Sequence, residues 1–284
     1  MKKIYAGVLF FIIAIALIAI TSATHKNTNK VTASPTKNYV ALGDSVSAGD
    51  GLETYSDSSA CNRTNQSYPN IVASKLYLKL SSLSCSGATI EQGISGSQTV
   101  NQLALSSQLS QAYRILSKPD MISITIGAND VQWTDFITKC YSGQCGTSSD
   151  SSDAAVLLQT LNINLNNVLT SIKDHYGGVS PKVIVTGYYQ IFPSSGSTCT
   201  DIKGITPSEI IWLLQQQDNL NTTIKSVVAN YSFAKYAAID FSGHELCTSD
   251  PWIQGLNDKA PYHPTDSGQT QYASAVIAAE KAFK

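Results

Sequence analysis

The chain has 284 residues, of which 43% are hydrophobic and only 14% charged, with a formal net charge of −1 and an isoelectric point near 6.4. Soluble globular chains carry roughly 25% charge, and no Lys/Arg run here would follow a phosphate backbone, so nucleic-acid binding is set aside. The apolar content supports a sizeable core and excludes a largely disordered chain.

In chain order, Lys2 and Lys3 precede an apolar run from Ile4 to Ile20, the pattern of a charged n-region followed by an h-region. The run is short for a membrane span of about 20 residues, and Thr21, Ser22 and Ala23 give an imperfect A-x-A cleavage site. Residues 1–23 are therefore expected to be a signal peptide, with a retained N-terminal membrane anchor as the alternative. No cysteine stands near the junction to carry a lipoprotein anchor. Residues 24–36, THKNTNKVTASPT, have the composition of a flexible polar linker. The product would be secreted, or tethered to the outer face of the membrane if the segment is kept.

Beyond the linker, apolar runs rich in β-branched residues alternate with longer helical stretches. The strands are expected at Tyr39–Leu42, Asp120–Ile126, Lys182–Thr186 and Lys235–Asp240, with a weaker one near Leu83. Helices are expected near 67–80, 97–117, 153–176, 207–230 and 268–284. This alternation implies right-handed crossovers and a three-layer α/β/α sandwich around a mostly parallel sheet, built as one domain over 37–284. Ligands bind such sheets at the carboxyl ends of the strands, which directs attention to the residues just beyond each strand.

All six cysteines, Cys61, Cys85, Cys140, Cys145, Cys199 and Cys247, follow the export segment. An even number in an exported chain points to disulfides. Neither a CxxC nor a zinc-like Cys/His spacing is present, so no metal site is expected. Sequential pairing gives the smallest loops, although the sequence alone does not choose among 15 connectivities.

Among 37 serines and four histidines, context decides which matter. Ser45 follows the first strand in a Gly-rich turn, GDSVSAG, that leads into a helix; its hydroxyl would sit at the sheet's mouth with its own N–H free. A helix N-cap is the plainer reading of such a serine. Asn129 ends the third apolar run within GAND and can aim its amide into the cleft, whereas an Asn-Asp pair by itself is turn chemistry. Gly87 in CSGAT lets a backbone N–H face a ligand. His263, followed by Pro264, is placed on a loop. His25 falls in the linker, His175 at the end of a polar helix, and His244 beside Cys247, where a structural hydrogen bond is the better reading. Trp133, Tyr188 and Tyr189 could line a pocket, and the stretch Trp212, Leu213, Leu214 reads as core, with a helix that shapes an acyl site as the alternative.

These four blocks together resemble the SGNH (GDSL) hydrolase superfamily. Within it, CNRTNQSYP, CSGAT, FSGHELC, PWI and HPTDSGQ are similar to the secreted, disulfide-containing lipases and esterases known from actinomycetes. The resemblance implies a flavodoxin-like fold, sequential cysteine pairing, and hydrolysis of acyl esters through an acyl-enzyme on Ser45, with His263 as general base and acid. Ser45, Gly87 and Asn129 would form the oxyanion hole. The wider superfamily places Asp three residues before the histidine, where this chain has Ala260. Related lipases use a main-chain carbonyl close before the histidine, which nominates Ala260 or Pro261; Asp258 is the competing acid. Asp266, with Gln269 three further on, reads as the cap of the last helix. The expected enzyme is a monomer acting without metal or organic cofactor on a small-molecule or lipid acyl ester. The alternatives are a carbohydrate acetyl esterase or phospholipase on the same site, or a secreted binding module that has kept the fold without catalysis.

Overall fold

The computed structural model describes residues 37–53, 55, 60–115, 118–177, 180–194 and 199–283. The segments 1–23 and 24–36, and His25 with them, lie outside the described residues. Strand β1 (Lys37–Gly43) leads through α1 (Ser45–Ala48) and α2 (Tyr68–Leu76) to β2 (Leu78–Ser82). A hairpin of β3 (Gln98–Val100) and β4 (Leu103–Leu105), then α3 (Gln108–Ile115), precedes β5 (Met121–Thr125). Helices α4 (Trp133–Tyr141) and α5 (Ser148–Tyr176) come before β6 (Lys182–Thr186). After one 3-10 turn at Thr200–Ile202, the chain continues through α6 (Pro207–Val228), β7 (Ala234–Ala237) and α7 (Asp266–Lys281).

The main sheet has the order β2-β1-β5-β6-β7, and every neighbouring pair is parallel. With the separate hairpin set aside, this is the 2-1-3-4-5 order of flavodoxin-like folds, whose switch point lies between the first strand and the third. Here that point falls between β1 and β5, the strands that carry Ser45 and Asn129 at their ends. All of β5 and the last five residues of β1 are buried, as a parallel sheet covered on both faces requires. Helix α2 packs against α7 and α5 against α6. Buried hydroxyls cross-link the sheet: Tyr39 to Ser123 at 2.6 Å, Tyr68 to Thr125 at 2.8 Å, and Thr125 to Thr186 at 2.8 Å. Each is thereby satisfied in a place that water does not reach.

Local chemistry sets the helix ends. Helices α5 and α6 each open with a capping box, Thr147 with Asp150 and Thr206 with Glu209, so two otherwise orphaned N–H groups are satisfied at each start. This cap starts α5 at Ser148, five residues before the expected position. The expected helix over 97–117 is instead a hairpin followed by a short helix. Asn101 (φ 49°) and Gln102 (φ 66°) are both left-handed, which a two-residue primed turn needs and a helix forbids. Helix α2 stops at Leu76, where Tyr77 is left-handed, and the weak strand lies at Leu78–Ser82. Helix α4 has no counterpart among the expected elements. The last helix is capped by Thr265, whose side chain accepts from Gly268, and not by Asp266. The cysteines pair sequentially: Cys61 with Cys85, Cys140 with Cys145, Cys199 with Cys247.

Candidate active site

Strand β1 ends at Gly43, whose φ is +141° and where a Cβ would stand 2.3 Å from the Thr125 carbonyl oxygen. Only glycine lets the end of β1 run this close to β5. The Gln108 side chain holds that glycine on both sides, accepting its N–H at 2.7 Å and donating to its carbonyl at 2.9 Å. The Asp44 N–H donates to the Thr125 carbonyl at 3.0 Å, and Asp44 Oδ1 caps α1 by accepting the Val46 N–H at 2.9 Å. Ser45 is therefore the first residue of a helix at the carboxyl end of the sheet.

The Ser45 Oγ lies 2.7 Å from Nε2 of His263, across 218 positions of sequence. The other ring nitrogen, Nδ1, is 3.0 Å from the Pro261 carbonyl oxygen. A carbonyl only accepts, so Nδ1 carries the proton and Nε2 is left to accept from the serine. The other two groups nominated for this role face elsewhere. The Ala260 carbonyl accepts the backbone N–H of His263 at 3.2 Å, and the Asp258 carboxylate accepts the Gly255 N–H at 2.6 Å. Between Pro261 and His263, Tyr262 has a φ of 68°, a left-handed residue within the turn that brings the Pro261 carbonyl to the ring.

Gln254 fastens this turn. Its N–H donates to the His263 carbonyl at 2.8 Å, its carbonyl accepts the Tyr262 N–H at 2.9 Å, and its side chain accepts from Ala260 at 3.2 Å and donates to Pro264 at 3.3 Å. The Tyr189 hydroxyl donates to the Tyr262 carbonyl. Gln269, expected in a capping box, is buried and instead donates to the Val46 carbonyl at 3.0 Å while accepting the Tyr68 N–H at 2.8 Å. Gln254 stands in no short motif, and the HPTDSGQ block that holds Gln269 signals a helix cap and not these contacts.

Asn129 follows β5, and its Nδ2 donates to the Ala88 carbonyl at 2.9 Å; the second amide hydrogen remains for a ligand. Asp130 accepts the Ile90 N–H at 2.9 Å, a second tie between the GAND turn and the CSGAT turn. Gly87 has a φ of +76°. Among the described residues, the N–H groups of Ser45 and Gly87 have no acceptor. Burial raises the Asp44 carboxyl to about 7, against hydrogen bonds from Tyr188 and Val46 that lower it, and raises Asp130 to about 6.

Ser45, Asn129 and His263 open onto a cavity of about 540 Å³, within the range of small-molecule sites. Its walls are mainly apolar and include Trp133, Ile137, Tyr141, Ile191, Leu220 and Leu256. Tyr188 and Tyr189 line it too, whereas Gly87 and Trp212 do not. Trp212 packs edge-on against Phe136 and donates to Ser151 at 3.0 Å, a core position. His244 stacks on Trp252 and bonds the Asp250 carbonyl through Nδ1 at 2.7 Å, and His175 stacks on Tyr113. No group of three or more His, Cys, Asp or Glu among the described residues could hold a metal.

Residues 41–271, which include Ser45, Gly87, Asn129 and His263, match the GDSL-like lipase/acylhydrolase family model. The chain belongs to the GDSL-like lipase/acylhydrolase family. It is 32% identical over 241 residues to a lipase of Streptomyces rimosus, with 82% of each chain covered. The crystal structure of an extracellular lipase from that species superposes with a TM-score of 0.68 at 29% identity, covering 86% of this chain and 99% of the other. A phospholipase A1 from Streptomyces albidoflavus superposes at 0.65 with 28% identity, over 86% and 99% of the two chains. As a GDSL hydrolase, the chain is a carboxylic ester hydrolase with the three-layer fold of its family.

Proposed function

We propose that this GDSL hydrolase is a lipase-type serine esterase in which Ser45 is the nucleophile and His263 the general base and acid. The observation that carries the reading is the 2.7 Å contact between Ser45 Oγ and His263 Nε2 at the mouth of the apolar cavity. A serine hydroxyl is too weak a nucleophile at neutral pH, so His263 takes its proton as Oγ attacks the ester carbonyl, then returns it to the leaving alcohol. Water repeats the sequence on the acyl-enzyme and releases the acid. The Pro261 carbonyl keeps Nδ1 protonated and fixes the ring plane, a role usually filled by a carboxylate. The N–H groups of Ser45 and Gly87 and the free amide hydrogen of Asn129 stabilise the oxyanion, and one such donor is worth about 100- to 1,000-fold in kcat.

The cavity supports an extended acyl chain over an acetyl group, because a volume of about 540 Å³ with apolar walls would leave an acetyl methyl with little contact. Phospholipid deacylation is the second reading, supported by the likeness to a phospholipase A1. The apolar run from Ile4 to Ile20 and the three disulfides support export. The test is hydrolysis of p-nitrophenyl esters from acetate to palmitate, with phosphatidylcholine vesicles in parallel. A rate rising from acetate toward medium or long chains is expected; activity confined to acetate would overturn the acyl-chain reading.

A further inference from the structure

We propose that Tyr188 and Asp44 are positioning residues that hold the nucleophile turn and the GAND turn in register; this rests on the assignment of Ser45 and Asn129 above. The Tyr188 hydroxyl donates to Asp44 Oδ2 at 2.5 Å and accepts the Ala128 N–H at 3.1 Å. One oxygen atom thus joins the residue before the nucleophile to the residue before the oxyanion donor, bridging the carboxyl ends of β1 and β5. Both carboxylate oxygens of Asp44 are engaged, since Oδ1 accepts from Val46. Asp44 is 1% exposed and Tyr188 7%, so water is poorly placed to replace the bridge.

The tyrosine is itself fixed. The Asn221 side chain of α6 accepts the Tyr188 N–H at 2.8 Å and donates to the Tyr188 carbonyl at 2.9 Å, a two-point grip on its backbone. Gly187, just before it, has no room for a Cβ, which would stand 2.1 Å from the Tyr236 hydroxyl. The bridge therefore reaches from a third strand, β6, to the two turns between which the ester must lie. A displacement of about 1 Å at a reacting centre costs on the order of 100-fold in rate, which is the scale on which this bridge acts.

Tyr188 also lines the acyl cavity, and the experiment separates the two roles. Steady-state kinetics on p-nitrophenyl octanoate compare the wild type, Ser45→Ala, Tyr188→Phe, Asp44→Asn and the Tyr188→Phe/Asp44→Asn double variant, with thermal unfolding of each. The expected result is a fall in kcat of about 10- to 100-fold for Tyr188→Phe with KM within about twofold and the unfolding transition still cooperative. Because both residues act through one bridge, the double variant should lose no more than the larger single loss. Unchanged kcat, a change confined to KM, or losses that multiply would each overturn the proposal. Should Tyr188→Phe fail to fold, Asp44→Asn carries the same comparison of kcat and KM. Wild-type activity that survives Ser45→Ala would sink the site assignment and the proposal together. Ser45-dependent activity with an unchanged Tyr188→Phe would sink the proposal alone.

Discussion

Asp44 makes stability depend on pH in a direction opposite to the usual paired carboxylate. Its folded value stands at about 7 against 3.8 for the free side chain, with burial the largest cause. A value raised on folding means that the folded state binds the proton more tightly than the unfolded state. The associated stability is fully present below about pH 4 and is lost as pH rises through about 7. The rise from 3.8 to about 7 corresponds to about 4 kcal/mol between those limits. Asp44→Asn removes the titration and keeps the side chain's shape; the amide has one acceptor oxygen where the carboxylate uses two, for Val46 and Tyr188, and that loss offsets the variant by an amount that does not vary with pH. Urea unfolding of the oxidised protein from pH 4 to pH 8 measures the effect. The stability of the variant minus that of the wild type should increase by about 4 kcal/mol from pH 4 to pH 7 and level off above. Asp130, raised to about 6, contributes with the same sign in both proteins and largely cancels in the difference. A difference that does not vary with pH would refute the reasoning.

Three further outcomes are expected from the site and its frame. Asn129→Ala should lower kcat by about 100- to 1,000-fold with little change in KM, and a variant within threefold of wild type would remove Asn129 from the oxyanion hole. Asp258→Asn should change kcat less than about threefold, since its carboxylate faces Gly255; a loss near the 10⁴-fold of the serine-protease triad's Asp-to-Asn case would restore it as the acid. Complete reduction of the three disulfides should lower the unfolding midpoint, each bridge contributing about 2 to 4 kcal/mol, and an unchanged midpoint would contradict their structural role.

Much of this molecule is written locally in its sequence. The β-branched runs that form β1, β5 and β6 are short, apolar and flanked by polar segments, so a buried parallel strand is their natural state. The blocks around Ser45, Asn129 and His263 are legible because each is a turn chemistry placed directly after a strand or on a loop. The features that are not legible depend on contacts between distant residues or on the backbone itself. Helix α4 opens at Gln132, a left-handed residue whose side chain makes no cap, so its start lacks the Ser, Thr or Asp signal that would mark it. The hairpin at 98–105 turns on Asn101 and Gln102 with no glycine, and QTVNQLAL has enough helical spacing to mislead. The group facing His263 Nδ1 is a main-chain carbonyl, which no side chain advertises; the family resemblance nominates Ala260 or Pro261, and the fold selects Pro261. The Tyr188–Asp44 bridge spans 144 positions, and the glutamines that clamp Gly43 and the histidine turn are recognisable only once the fold has brought them there.

The central claim is that Ser45, activated by His263, is the nucleophile. The measurement that tests it most directly is stoichiometric labelling with a p-nitrophenyl alkylphosphonate, followed by peptide mass spectrometry of the wild type and of His263→Ala. One equivalent of nitrophenolate released per chain, with the phosphonyl group on Ser45 and labelling slowed by orders of magnitude in His263→Ala, is the expected result. A label on another residue, or ester hydrolysis that persists in a chain fully modified at Ser45, would contradict the account.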